Sequence, residues 1–291
     1  MLSKIQKNME KEYLSAPLPF VGQKRMFATQ FKEVLKQYPD DAIFVDLFGG
    51  SGLLSHIAKH EKPKATVVYN DFDNYRERLA NIDRTNALLA DLRVLTKDSP
   101  RHKLITGKVR EAILSRIAEE EKSGFVDYIT VSSSLLFSMK YATSLDGLRK
   151  QSLYNNIRKS QYSAEGYLDG LEIVSCDYKE LFARYKDVPG VVFLVDPPYL
   201  CTDVDTYHMS WGLSDYLDVL SVLCGTTFVY FTSNKSSIIE LCEWMGNHKT
   251  IGNPFRNAVR LEFNAHMNYN ASYTDMMLYN KVETSGYKTA V

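Results

Sequence analysis

An open α/β sheet carrying an inserted, mainly helical subdomain is the fold that this 291-residue chain predicts, and three observations lead to it. A short apolar run, a glycine-rich turn, a helical stretch and a second apolar run follow one another between Ala42 and Asp71, which is the order of a βαβ unit. A five-residue apolar run, Val191–Val195, then meets Asp196-Pro197-Pro198-Tyr199, where two prolines can continue neither a helix nor a ladder. Between 75 and 170 the α/β rhythm is lost, and polar helical sequence gives way to a stretch rich in Ser, Tyr and Asn.

Each element has its own justification. Met26, Phe27, Phe31, Val34, Leu35 and Tyr38 recur at helical spacing, so an amphipathic helix precedes the first strand. Residues 42–47 form that strand, and Phe48-Gly49-Gly50-Ser51-Gly52 turns it into a helix over 53–60. Residues 65–69 make the second strand, which ends at Asn70-Asp71. Helices are expected over 82–92 and 111–122, and further strands at 171–174, 191–195, 227–231 and 276–279. The resulting division is 1–74 with 171–291 for the sheet domain and 75–170 for the insertion.

Composition narrows the class without choosing the partner. Lys plus Arg and Asp plus Glu are 35 each, so the net charge is zero, which argues against a protein that coats DNA by charge alone. Cys176, Cys201, Cys224 and Cys242 have no C-x-x-C spacing and read as reduced thiols. The N-terminus has no secretory h-region, and no apolar run reaches the roughly 20 residues that span a bilayer. The expectation is a cytoplasmic protein.

The chemistry concentrates at strand ends, where open α/β sheets hold their ligands. Asp196 and the carbonyl of Pro197, which lies between two rings that carry no amide hydrogen, can both accept hydrogen bonds from an exocyclic NH2, while Tyr199 stacks on a flat base. The loop from Phe48 to Gly52 lets the backbone approach a ligand at a helix N-terminus, though Ser55 stands where a dinucleotide fingerprint has its third glycine. Asp71, about 20 residues past the glycines, is placed to bond a ribose hydroxyl pair, so the two together point to an adenosine-type cofactor. In the insertion, Lys140, Arg149, Lys150, Arg158 and Lys159 face a single acid, Asp146, with Tyr141, Tyr154, Tyr162, Asn155 and Asn156 interleaved. That mixture suits phosphate contact and base reading, with a solvated charged loop as the alternative. Ser233-Asn234 either lines the pocket or caps the next helix. His56 and His60 stand four apart, but without H-E-x-x-H or a third ligand they read as plain helix surface, and no metal is expected.

These motifs, in this order, resemble the Dam-type DNA adenine-N6 methyltransferases. The family pattern runs from a P-F-x-G-G-K-like segment, here Pro19-Phe20-Val21-Gly22-Gln23-Lys24, through the F-x-G-x-G loop and an acidic strand end to a target-recognition insertion and D-P-P-Y. Cys176-Asp177-Tyr178 resembles the short acidic motif after the insertion, and Tyr207-His208 an aromatic-His pair in the loop after D-P-P-Y. The resemblance implies a Rossmann-like sheet with helices on both faces and S-adenosylmethionine as cofactor. It implies that Phe20, Lys24, Asp46, Phe48, Gly49, Gly50, Gly52, Asp71, Asp177 and Asp196 hold that cofactor. Asp196, Pro197, Pro198 and Tyr199 would grip a flipped adenine in double-stranded DNA, and Lys140, Arg149, Lys150, Asn155, Arg158 and Lys159 would touch that DNA. A monomer or weak dimer in a bacterial or phage-infected cell, active in restriction–modification, goes with the resemblance. Gln23 departs from the usual second glycine. An RNA adenine methyltransferase and a non-catalytic DNA-binding relative are the competing readings.

Overall fold

The computed structural model describes residues 11–137, 140–198, 212–234, 236–247, 252–268 and 271–280. These form two compact units: one of Lys24–Phe72 with Leu168–Val291, the other of Met1–Gln23 with Asp73–Tyr167. Among the described residues the strands are β1 (Ile43–Asp46), β2 (Thr66–Asn70), β3 (Leu104–Ile105), β4 (Leu153–Tyr154), β5 (Glu172–Val174), β6 (Val191–Val195), β7 (Phe228–Ser233), β8 (Val259–Asn268) and β9 (Ala271–Tyr279).

The larger unit is built on a seven-stranded sheet of order β5-β2-β1-β6-β7-β9-β8. The first five strands are parallel, and β9 and β8 close the edge as an antiparallel hairpin. The chain runs outward from β1 through β2 to β5, then returns to β6 on the other side of β1. That reversal opens a crevice at the carboxyl ends of β1 and β6, the usual ligand position of a Rossmann-like sheet. The expected α/β class with helices on both faces is therefore the observed one.

Strand alternation assigns each face. Phe44, Val67, Val192, Leu194, Val229, Phe231 and Met277 point to one side, under the helices Ala28–Leu35 and Leu53–Glu61. Val45, Val68, Val191, Phe193, Val195, Phe228 and Tyr230 point to the other, under Tyr178–Tyr185, Leu213–Leu223 and Ile238–Gly246. Both faces of β6 are buried along its whole length, which is why its sequence is apolar throughout rather than alternating.

Several sequence expectations shift. The first helix begins as a 3₁₀ turn, Arg25–Phe27, and Met26 is exposed, whereas Phe27 packs edge-on against Phe231 and Phe263. Strand β8 was not foreseen, because its polar, mixed sequence lies at the sheet's edge with only β9 as a partner. His56 is buried rather than on a helix surface. Asn234 does not cap the next helix, whose N-cap is Ser237. Its backbone and side chain both pair with the backbone of Thr274, which locks β7 to β9.

The smaller unit holds the helices Tyr75–Ala80, Ile82–Leu95, Gly107–Ser123, Tyr128–Ser133 and Leu145–Arg149, with a two-stranded antiparallel ribbon of β3 and β4. Leu88, Leu89, Leu92, Ile113, Ile117, Val131, Leu148 and Ile157 are among its buried residues. The segment ending at Gln23, read from sequence as part of the sheet domain, groups with this unit instead. Side chains meet its backbone: Leu18 exchanges hydrogen bonds with the Tyr75 hydroxyl, and Arg78 donates to the Pro19 carbonyl at 2.7 Å. Arg78 is fixed in turn by a buried ion pair with Asp127.

Candidate active site

The larger unit gathers its polar groups where β1, β2, β5 and β6 end. Asn70 ties three of these ends together: its amide nitrogen donates to the carbonyls of Leu47 and Cys176, and its oxygen accepts from the Cys176 amide, all at 3.0–3.1 Å. Sequence reading treated Asn70 only as the neighbour of Asp71. A buried side chain that fully satisfies three strand ends gives the crevice a rigid floor.

Tyr69 decides the glycines of the loop. A Cβ on Gly49 would stand 2.4 Å from the Tyr69 ring and 2.7 Å from the Asn70 carbonyl, and Gly52 adopts a left-handed φ of 73° with the same ring beneath it. The Tyr69 hydroxyl lies 2.8 Å from the Gly50 carbonyl oxygen and 3.0 Å from Asp71 Oδ1, so its single proton serves one acceptor at a time. Close packing on a tyrosine, which no loop motif records, is thus one reason for the glycines. Gly49→Ala is expected to cost about 3 kcal/mol of folding stability through this overlap. A urea denaturation midpoint equal to wild type would show that the ring yields.

Asp46, at the end of β1, is fully buried. Ser55 donates to its Oδ2 at 2.7 Å, while Oδ1 has no hydrogen-bond partner among the described residues. Burial pushes this carboxyl up to about 7, with the Ser55 hydroxyl pulling against the shift and the charge of Asp196 adding to it. Ser55, which breaks the dinucleotide fingerprint, is the residue that orients Asp46.

Asp196 leaves β6 on the same face as Val192 and Leu194, and Lys24 Nζ sits 2.8 Å from its Oδ1. Burial raises the Asp196 carboxyl from its ordinary value, the Lys24 ammonium opposes this, and Asp275 adds to it. Lys24 precedes the helix that covers this face, so the packing of Phe27 on Phe231 brings the ammonium over the strand end. Pro197 is buried, and the Pro198 carbonyl accepts a hydrogen bond from Tyr216 on the opposite face, which fixes the turn. Tyr199, Cys201, Tyr207 and His208 lie outside the described residues.

The remaining sequence-predicted residues fall into place unevenly. Phe48 stacks on Tyr178 with ring centroids 4.8 Å apart, and exposed Asp177 caps the helix Tyr178–Tyr185 through the Lys179 amide. Phe20 belongs to the smaller unit, edge-on to Tyr75, and Gln23 there accepts from the Ala16 amide. Of the proposed DNA residues, Lys140, Arg149, Lys150, Arg158 and Lys159 are exposed on that unit. Asn155 is not. It is buried and its amide nitrogen is committed to the Ser99 carbonyl at 2.7 Å, so it must be struck from the base-reading set. Asn156 is likewise spent on the Leu136 carbonyl and His102.

The family model for D12 class N6 adenine-specific DNA methyltransferases matches residues 20–218, which runs from the Phe20 segment through the glycine loop, the whole insertion and the D-P-P-Y turn. The chain belongs to this family. A Haemophilus influenzae protein carrying the name "Putative methyltransferase" is 38% identical over 279 residues, covering 93% of either chain. Among solved structures, precorrin-6y C5,15-methyltransferase from Geobacter metallireducens is similar at a TM-score of 0.36 and 8% identity over 93% of this chain and all of that one, too distant to inform the site. Among the described residues no helix is long and apolar enough to cross a membrane. For a D12 methyltransferase the informative geometry is the Lys24–Asp196 pair, which puts a charged acceptor at the carboxyl end of β6.

Proposed function

We propose that the protein transfers a methyl group from S-adenosylmethionine to the N6 amino group of an adenine flipped out of duplex DNA. The observation that carries this reading is the oriented carboxylate of Asp196, held by Lys24 through Oδ1 and followed by two prolines at the switch point of the sheet.

The residues present fit the cofactor. The orphaned Oδ1 of buried Asp46 suits an α-ammonium group, the glycine loop leaves backbone open beside it, and the Asp71 carboxylate suits a ribose diol. Asp177, Phe48, Phe20 and Lys24 complete the set that the family resemblance assigns to it. When bound, S-adenosylmethionine supplies a sulfonium methyl group for in-line transfer.

The protein's own part is positioning and charge. An adenine N6 lone pair is delocalised into the ring and is a poor nucleophile. Asp196 Oδ2 and the Pro197 carbonyl accept the two N6 hydrogens, which draws the nitrogen towards tetrahedral geometry and localises that pair. The Asp196 charge also stabilises the positive charge that grows on nitrogen. Flipping costs a few kcal/mol, and stacking on Tyr199 returns about 1–3 kcal/mol of it.

The exposed cations of the smaller unit supply the phosphate contacts. Arg158 lies over the Tyr162 ring at 4.4 Å and Lys150 is unencumbered by a described ion pair. Lys150→Ala and Arg158→Ala are each expected to reduce the slope of log K against log salt by about 1. Unaltered slopes in both variants would remove this stretch from the DNA interface. The reading as a whole is tested by incubating the purified protein and labelled S-adenosylmethionine with duplex DNA or RNA and quantifying N6-methyladenine. Label on DNA is expected, and label on RNA alone, or on neither, would overturn it.

A further inference from the structure

The antiparallel hairpin brings a second carboxylate to the site. In register, Ser233 of β7 faces Asp275 of β9, and Val195 of β6 faces Tyr230 of β7. Counting outward along the alternation, Asp275 lies on the same sheet face as Met277 and Phe231, the face that also carries Asp46 and Asp196. It is buried near the carboxyl edge where Asp196 meets Lys24. Its charge opposes ionisation of Asp196, and Tyr273, two residues before it, feels both Asp275 and Lys24. The titratable groups on this face are Lys24, just before the covering helix, Asp46 from β1, and Tyr273 near Asp275 on the same strand, while Tyr230 of β7 feels Asp196 from the opposite face.

Charge arithmetic gives Asp275 a purpose. Lys24 and Asp196 alone form a neutral pair, whose net field on an approaching amino group is weak. Methyl transfer forms an N–C bond, breaks the S–C bond with its electron pair left on sulfur, and leaves the nitrogen positive until a proton departs to water. A neutral pair resists that change only through its nearer member. A second carboxylate on the same sheet face makes the cluster net negative while Asp196 turns its other oxygen to the substrate.

We propose that Asp275 is a positioning residue for the transfer, acting on Asp196 from the same sheet face to give the Lys24–Asp196 pair the net negative surroundings that the reacting nitrogen requires. The proposal rests on the adenine-methyltransferase reading above. Asp275→Asn should lower kcat about tenfold or more while leaving the dissociation constants for S-adenosylmethionine and DNA within about twofold of wild type. Loss of its charge also eases ionisation of Asp196, so the acid limb of the kcat profile should move to lower pH, and Asp275→Glu should restore both kcat and the limb. A kcat equal to wild type, or a fall in kcat with the acid limb unmoved, overturns the proposal, since a purely structural role would not touch that limb. Should Asp275→Asn not fold, carboxyl carbon-13 titration of the wild type decides instead. Coupled titration of Asp196 and Asp275 is expected, and two independent single-site curves overturn it. Wild-type enzyme in the same assay separates the two ideas: no N6-methyladenine from wild type sinks the function, whereas a normal wild type beside an unaffected Asp275→Asn sinks only this inference.

Discussion

Asp196→Ala is expected to reduce kcat by about a thousandfold while S-adenosylmethionine binding survives. In the proposed mechanism the side chain is the acceptor at the transfer site, and its removal leaves the amino group bonded to the Pro197 carbonyl alone. The fold should tolerate the change, because the strand that leads into Asp196 is apolar and buried along its whole length. The turn itself is secured by Tyr216 on the Pro198 carbonyl and not by Asp196. Calorimetry with S-adenosylmethionine and single-turnover methylation of duplex DNA read the two quantities separately. A variant that methylates DNA at near wild-type rate would remove Asp196 from the mechanism.

Asp46→Asn should produce opposite effects on binding and on stability. In the proposed cofactor site its unpartnered Oδ1 meets the ammonium, so the amide should weaken S-adenosylmethionine binding about a hundredfold by removing that charge. The same charge burdens the empty fold. The folded carboxyl, at about 7, lies above its ordinary 3.8, so the unfolded chain ionises first. The stability contributed by the neutral acid is therefore complete below about pH 4 and is lost as pH rises through about 7. Asn has no such dependence. At pH 8 the variant is expected to be more stable than wild type by on the order of 3 kcal/mol, a gap that shrinks towards pH 4. Urea denaturation at the two pH values checks it, and a gap independent of pH would mean that the buried carboxyl is not the cause.

Both experiments concern residues that the sequence pointed out, yet the reasons for their behaviour were not in the sequence. The D-P-P turn, the glycine loop and the apolar strands are local signals, since proline geometry, glycine conformational freedom and hydrophobic runs act over a few residues. For that reason the βαβ unit and the Val191–Val195 strand were legible, as was the interruption between them. Asn155 illustrates the opposite case. Beside Arg158 it has the composition of a base-reading residue, but its exposure depends on how the ribbon of β3 and β4 folds against Ser99, 56 residues earlier. The hairpin strand β8 escaped for a similar reason, being an edge element whose partner rather than its composition makes it a strand.

By itself the sequence determined the α/β class, the placement of Asp196 at a strand's carboxyl end and the family to which the chain belongs, because each rests on ordered local motifs. Only the tertiary structure decided that Lys24 holds Asp196, that Ser55 turns Asp46, that Tyr69 dictates the glycines, that Asn70 ties the strand ends, and that Asp275 arrives from the far hairpin. These relations range from 9 residues along the chain, for Ser55 and Asp46, to 106 for Asn70 and Cys176 and more still for Lys24 and Asp196, and the folding of the sheet, not any spacing in sequence, brings them to one edge.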